Sequence, residues 1–145
     1  MVMCPNHMTV AVTEVAPAKE FFALLGFEES ETKFISGPIM EEYLGVPGVE
    51  AEHVTMVLKG CDPHFDVQLL KYNNPKPTPN EHVRDLTTVG FNHLCFAVED
   101  LDATLATLRA AGVKMRNKAM EFRDYKMAFI WGPEGITIEL VEKLN

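Results

Sequence analysis

No apolar run in this sequence of 145 residues approaches the roughly 20 residues of a membrane-crossing helix. The N-terminus has no basic stretch followed by a long apolar run, so no secretory leader is expected. Basic residues are scarce: 13 Lys and Arg stand against 21 Asp and Glu, a formal net charge of −8. That disfavours nucleic-acid binding, which needs a basic face. A small anionic substrate stays open, because a local basic patch or a metal can hold one. Cysteine is scarcer still. Cys4, Cys61 and Cys95 are an odd number without Cys-x-x-Cys spacing. This disfavours a disulfide framework or a cysteine zinc site and suits a reducing cytoplasm.

What the chain does contain is a repeat. Asn6-His7-Met8-Thr9-Val10-Ala11-Val12 returns 86 residues later as Asn92-His93-Leu94-Cys95-Phe96-Ala97-Val98. Gly26 and Gly112, each closing a short apolar helix, are also 86 apart. Each copy ends in an apolar strand with one polar residue inside it. These are Gln68 in Asp66-Val67-Gln68-Leu69-Leu70 and Glu139 in Thr137-Ile138-Glu139-Leu140-Val141. A chain of this length fills one domain, here built from two half-domains.

Alternation predicts a strand over Asn6–Val12, with His7, Thr9 and Ala11 on one face and Met8, Val10 and Val12 on the other. A helix follows, with Pro17 early and Phe21, Phe22, Leu24 and Leu25 as its apolar stripe. Further strands are expected at Phe27–Phe34, Glu52–Lys59 and Phe65–Tyr72, with a short helix at Glu41–Leu44 in a loop punctuated by Gly37-Pro38. Asn73–Glu81 holds three prolines and reads as part of a linker. In the second half, Asp100 or Asp102 caps a helix to Ala111 with Leu101, Leu105 and Leu108 on one side. Strands are predicted near Val113–Arg116, Glu121–Phe122, Lys126–Trp131 and Ile136–Glu142. The fold class is α+β, with βαβββ modules at about 5–73 and 88–143 joined by a Pro-rich linker at 74–87.

Side chains alternate across a strand, so His7 and His93 face away from the bulky residues that pack under a helix. Gln68 and Glu139 hold equivalent places on the last strand of each half. Two imidazole nitrogens, one carboxylate oxygen and one amide oxygen form a mixed N/O set. It suits a borderline divalent metal (Zn, Ni, Co, Fe or Mn) better than Ca or a soft-ligand metal. A single histidine on a strand is usually just a satisfied core residue. The matched repeat is what raises His7, Gln68, His93 and Glu139 to a candidate metal site. The competing reading is a duplicated fold whose polar residues line a metal-free ligand cup.

For proton transfer the candidates are Glu139, released from a metal during turnover, and His53. Glu52 and Asp66 stay open beside them. Lys114, Arg116, Lys118, Arg123 and Lys126 crowd one region. They read either as the wet face of a hairpin or as a site for a substrate carboxylate or phosphate. Phe129 and Trp131 share a strand face and either wall a pocket or join the core.

The stretches NHMTVAV, DVQLLKY, FNHLCFAVEDLDATLATLRAAGV and WGPEGITIELVE resemble the vicinal oxygen chelate superfamily. It includes glyoxalase I, methylmalonyl-CoA epimerase, bleomycin-resistance proteins, fosfomycin-resistance transferases and extradiol dioxygenases. The resemblance covers residues 5–143. It implies paired βαβββ modules curled into a cup around a divalent metal, with His7, Gln68, His93 and Glu139 as ligands. Bacterial glyoxalase I usually has Glu where Gln68 stands, and the His/Gln/His/Glu set is the epimerase pattern. Against that, Thr55 or a near neighbour occupies the position of a further epimerase glutamate.

The expectation is a metal-dependent lyase or isomerase that stabilises an enolate or enediolate on a small oxo, hydroxy or thioester substrate. The first alternative is a metal-free sequestering protein of the bleomycin-resistance type, the second a dioxygenase. Extradiol dioxygenases usually draw their ligands from one module, whereas His7 and His93 lie in different ones. The resemblance also implies a homodimer with a small-molecule partner, while cysteine usage, charge and the absence of a long apolar run lead to the expectation of a cytoplasmic protein with no membrane or nucleic-acid partner.

Overall fold

The computed structural model describes residues 1–144. The described residues divide into two compact units, 1–79 and 80–144. In the first unit the order is β1 (His7–Ala11), α1 (Val15–Leu24), β2 (Phe27–Ser36), α2 (Pro38–Leu44), β3 (Glu50–Leu58) and β4 (Asp66–Asn74). In the second it is β5 (His93–Ala97), α3 (Leu101–Ala110), β6 (Met120–Phe122), β7 (Tyr125–Trp131), a 3-10 turn at Pro133–Gly135 and β8 (Thr137–Lys143). The sheets have the same topology, β1-β4-β3-β2 and β5-β8-β7-β6. In each, the first strand runs parallel to the last and the other pairs are antiparallel. These are the two βαβββ modules that the repeat predicts.

Each sheet buries the face turned to its helix. In the first unit Val10, Val12, Val54, Met56, Val67 and Leu69 are buried with Val15, Ala18, Phe21 and Phe22 of α1. Phe22 meets Phe21 and Phe27 edge-on, at ring-centroid distances of 5.2 and 5.7 Å. In the second, Leu101, Leu105 and Leu108 of α3 are buried with Ala128, Ile130, Ile138 and Leu140. Asp100 caps α3 by accepting from the Ala103 N–H at 2.9 Å. Burying these apolar side chains supplies most of the drive to fold, since one fully buried Leu or Phe is worth about 1.5–3 kcal/mol.

Three details differ from the sequence reading. First, α2 begins at Pro38, with Gly37 as its N-cap at φ +88°. The Gly-Pro pair is therefore a helix start, with Pro at a position whose N–H needs no partner. Val49, Ala51 and Leu70 bury one end of the opposite sheet face, together with Met40 and Leu44 of α2. This extra segment explains why Gln68 and Glu139 lie 71 apart rather than 86. Second, the expected strand at Val113–Arg116 is only an isolated bridge, Met115 to Ile130. The Asn117 side chain accepts the Phe129 N–H at 2.7 Å and so takes the donor that a continuing strand would use. Third, β4 runs to Asn74, and the later part of the expected linker is bonded into the second unit.

Candidate metal centre

In the second unit, β5 and β8 pair in parallel, with His93 opposite Thr137 and Cys95 opposite Glu139. Strand pleat then turns His93, Cys95, Thr137 and Glu139 to the face away from α3. His93 Nε2 lies 3.1 Å from Glu139 Oε2. The His93 ring meets Phe129 edge-on at 5.1 Å. Its Nδ1 lies 2.7 Å from Asn92 Oδ1, and the Asn92 amide in turn donates to the Leu86 carbonyl at 2.6 Å. That second bond fixes which end of the amide faces the ring. Asn92 Oδ1 therefore accepts from Nδ1–H, and Nε2 is the nitrogen left to face Glu139. Partial desolvation and the Glu139 carboxylate push the neighbouring Cys95 thiol up to about 11, so it stays protonated at neutral pH.

The first unit repeats part of this plan. Gln68 stands opposite Thr9 on one side and Thr55 on the other. His7 Nδ1 lies 2.7 Å from Asn6 Oδ1, the counterpart of the Asn92–His93 pair. Gln68 Oε1 is 3.0 Å from His53 Nε2 and 3.3 Å from Thr9 Oγ1. His53 Nδ1 is buried and has no hydrogen-bond partner.

The structure thus brings Glu139 to His93 and His53 to Gln68, and it sets His7 on the same face as Gln68. Among the described residues no three His, Cys, Asp or Glu side chains form one cluster. Glu52 pairs in register with Lys71 and so faces the α1 side, away from Gln68. Asp66 shares the Gln68 face, but its carboxylate lies 3.3 Å from His64 Nε2. Three of the five clustered basic residues turn to different partners: Lys126 pairs with Asp102, Arg123 lies over Phe122, and Arg116 turns to Trp131.

The donors fit a borderline divalent ion. With Nδ1–H committed to Asn92, His93 Nε2 and the Glu139 carboxylate stand side by side as a nitrogen and an oxygen donor that one cation could bridge. The asparagines are the feature that residue-by-residue reading passed over. Their signal was present in the repeated Asn-His dipeptide. Such orienting partners typically contribute a factor of about 10–100 to metal affinity. Asn92→Ala is accordingly expected to weaken zinc binding about 10–100-fold, read by competition with a chromogenic chelator. Unchanged affinity would show that Asn92 does not orient the ring.

Two βαβββ copies, each with its first strand parallel to its last, make a glyoxalase-type fold. The profile of the Glyoxalase/Bleomycin resistance protein/Dioxygenase superfamily matches residues 5–140. The chain belongs to this superfamily. It is 31% identical over 153 aligned positions to Glyoxalase I of Saccharomyces cerevisiae, covering 94% of this chain and 44% of the yeast protein. It thus spans less than half of that relative. A glyoxalase family protein from Bacillus cereus superimposes with a TM-score of 0.90 at 22% identity, covering 100% of this chain and 97% of that one. An antibiotic binding protein from Streptomyces sp. CB03234 gives a TM-score of 0.62 at 20% identity, with 98% and 97% covered. The two structural likenesses are likenesses of fold.

Proposed function

We propose that the protein is a divalent-metal-dependent lyase or isomerase acting on a small oxo, hydroxy or thioester substrate. The observation that carries this reading is the His93–Glu139 pair, with His93 Nδ1 already committed to Asn92. His7, supported in the same way by Asn6, and Gln68 would complete a four-donor set, within one chain or across a homodimer. A divalent ion bound there would supply Lewis acidity to substrate oxygens and favour the enolate or enediolate left when a neighbouring carbon loses its proton. Glu139 and His53 are the proposed proton carriers. Glu139 would act through its carboxylate, and His53 through Nε2, because its Nδ1 is buried. Phe129, edge-on to His93, restricts water on that side of the ring. Identity to yeast Glyoxalase I supports the glyoxalase-like side of the proposal. The cytoplasm is the compartment that free, exposed cysteines suit.

Metal analysis of purified protein tests this reading. Wild-type protein is expected to hold a stoichiometric divalent ion, and His7→Ala/His93→Ala only a trace. Equal traces in both would remove the basis for an enzyme. A metal-free sequestering protein is the second reading. It is favoured by the half-buried Phe129 and Trp131, which share the face of Glu139, and by the antibiotic-binding structural relative.

A further inference from the structure

We propose that Arg84 and Arg116 form an oxyanion subsite on the face that carries His93 and Glu139. The subsite takes the carboxylate or phosphate tail of a small substrate, and as a substrate subsite it rests on the functional reading above. The two guanidinium carbons lie 4.4 Å (Arg116) and 5.3 Å (Arg84) from the centre of the Trp131 ring. Both are within the roughly 6 Å over which a cation is drawn to an aromatic face. Arg116 Nη1 donates to the Arg84 carbonyl at 2.8 Å and makes a longer contact, 3.4 Å, with Thr137 Oγ1.

Arg84 is seated rather than free. Gly135 has φ +82°, and a Cβ there would stand 2.6 Å from Arg84 Nε and 2.9 Å from its Cγ. Only glycine leaves that slot open. The register places the cluster relative to the candidate centre. Thr137 pairs with His93 on one side and with Trp131 on the other. One strand spacing, about 4.8 Å, separates the Thr137 backbone from that of His93. Arg116 therefore ends beside the row that holds the histidine.

Two like charges share one ring in a chain of net charge −8. Stacking and one backbone bond hold them there against mutual repulsion, and a bound oxyanion relieves it. The planar guanidinium fork matches both carboxylate and phosphate oxygens. A merely structural tie between segment 80–86 and β7 needs the Arg116 bond to the Arg84 carbonyl. It does not account for the Arg84 guanidinium being placed on the same ring.

Trp131 is the single tryptophan of the chain, so its emission reports on the subsite directly. Chelator-treated protein is titrated with sodium malonate and, separately, with sodium phosphate, at constant ionic strength set by sodium chloride. A saturable emission change is expected with at least one of them, and the preferred anion identifies the tail. Arg84→Gln and Arg116→Gln are each expected to weaken it about tenfold or more. Arg84→Lys should retain part of it. Arg84 is exposed, and its replacement leaves the carbonyl that Arg116 uses, so Arg84→Gln should melt like wild type. No saturable change with either anion, or wild-type titration by Arg84→Gln, overturns the proposal. Because the titration is done without metal, its failure is separate from failure of the metal reading, which metal analysis decides.

Discussion

Glu139→Gln is expected to slow exchange of a substrate carbon-bound proton with deuterated water by about 10²–10⁴-fold, the range of one lost acid–base group. Glutamine keeps the size of the side chain and can still meet His93 Nε2, which lies 3.1 Å from Oε2 in the native protein. It cannot take up a proton or carry the negative charge. Exchange is followed by NMR on hemithioacetals, methylmalonyl thioesters and 2-oxo acids, with metal content measured on the same samples. At saturating metal the comparison isolates proton transfer from metal retention. An unchanged exchange rate in Glu139→Gln would leave His53 as the carrier to examine. If His53→Gln were also unchanged, the proposed pair of proton carriers would be wrong.

Phe22→Ala should have the largest effect on stability, a loss of about 3–5 kcal/mol, read from urea denaturation. Phe22 is 0% exposed and edge-on to two further phenyl rings. Little around it can relax to fill the cavity. The expected reach extends to the site, because α1 covers the sheet face holding Val10, and that strand turns His7 outward. Phe34→Ala is the control. Phe34 is 63% exposed on β2, at one end of the strand order, and its replacement should change stability by less than about 0.5 kcal/mol. Equal losses in the two variants would mean that the core does not centre on α1.

The architecture was legible because alternation and helical spacing are local signals. His7, Thr9 and Ala11 do face away from the buried Val10, and Leu101, Leu105 and Leu108 do line the inner side of α3. Side chains that replace backbone partners were not legible in this way. Asn117 ends a ladder that Val113–Arg116 would otherwise extend, and nothing in its neighbours' hydropathy announces this. Gly37-Pro38 read as loop punctuation, yet it starts α2, whose Met40 and Leu44 pack against the sheet. Arg84 was hidden for a different reason. It lies in a stretch whose composition reads as linker, and its partners Trp131 and Gly135 are about 50 residues away.

The Asn6–His7 and Asn92–His93 pairs have a consequence for how such a centre arises. In each, the amide that aims the imidazole is its immediate neighbour in the chain. One gene-copying event would therefore transmit an imidazole together with the amide beside it. Each Asn-His pair is a two-residue cassette. Later divergence is then free to work on the other strand, where one copy now holds an amide and the other an acid.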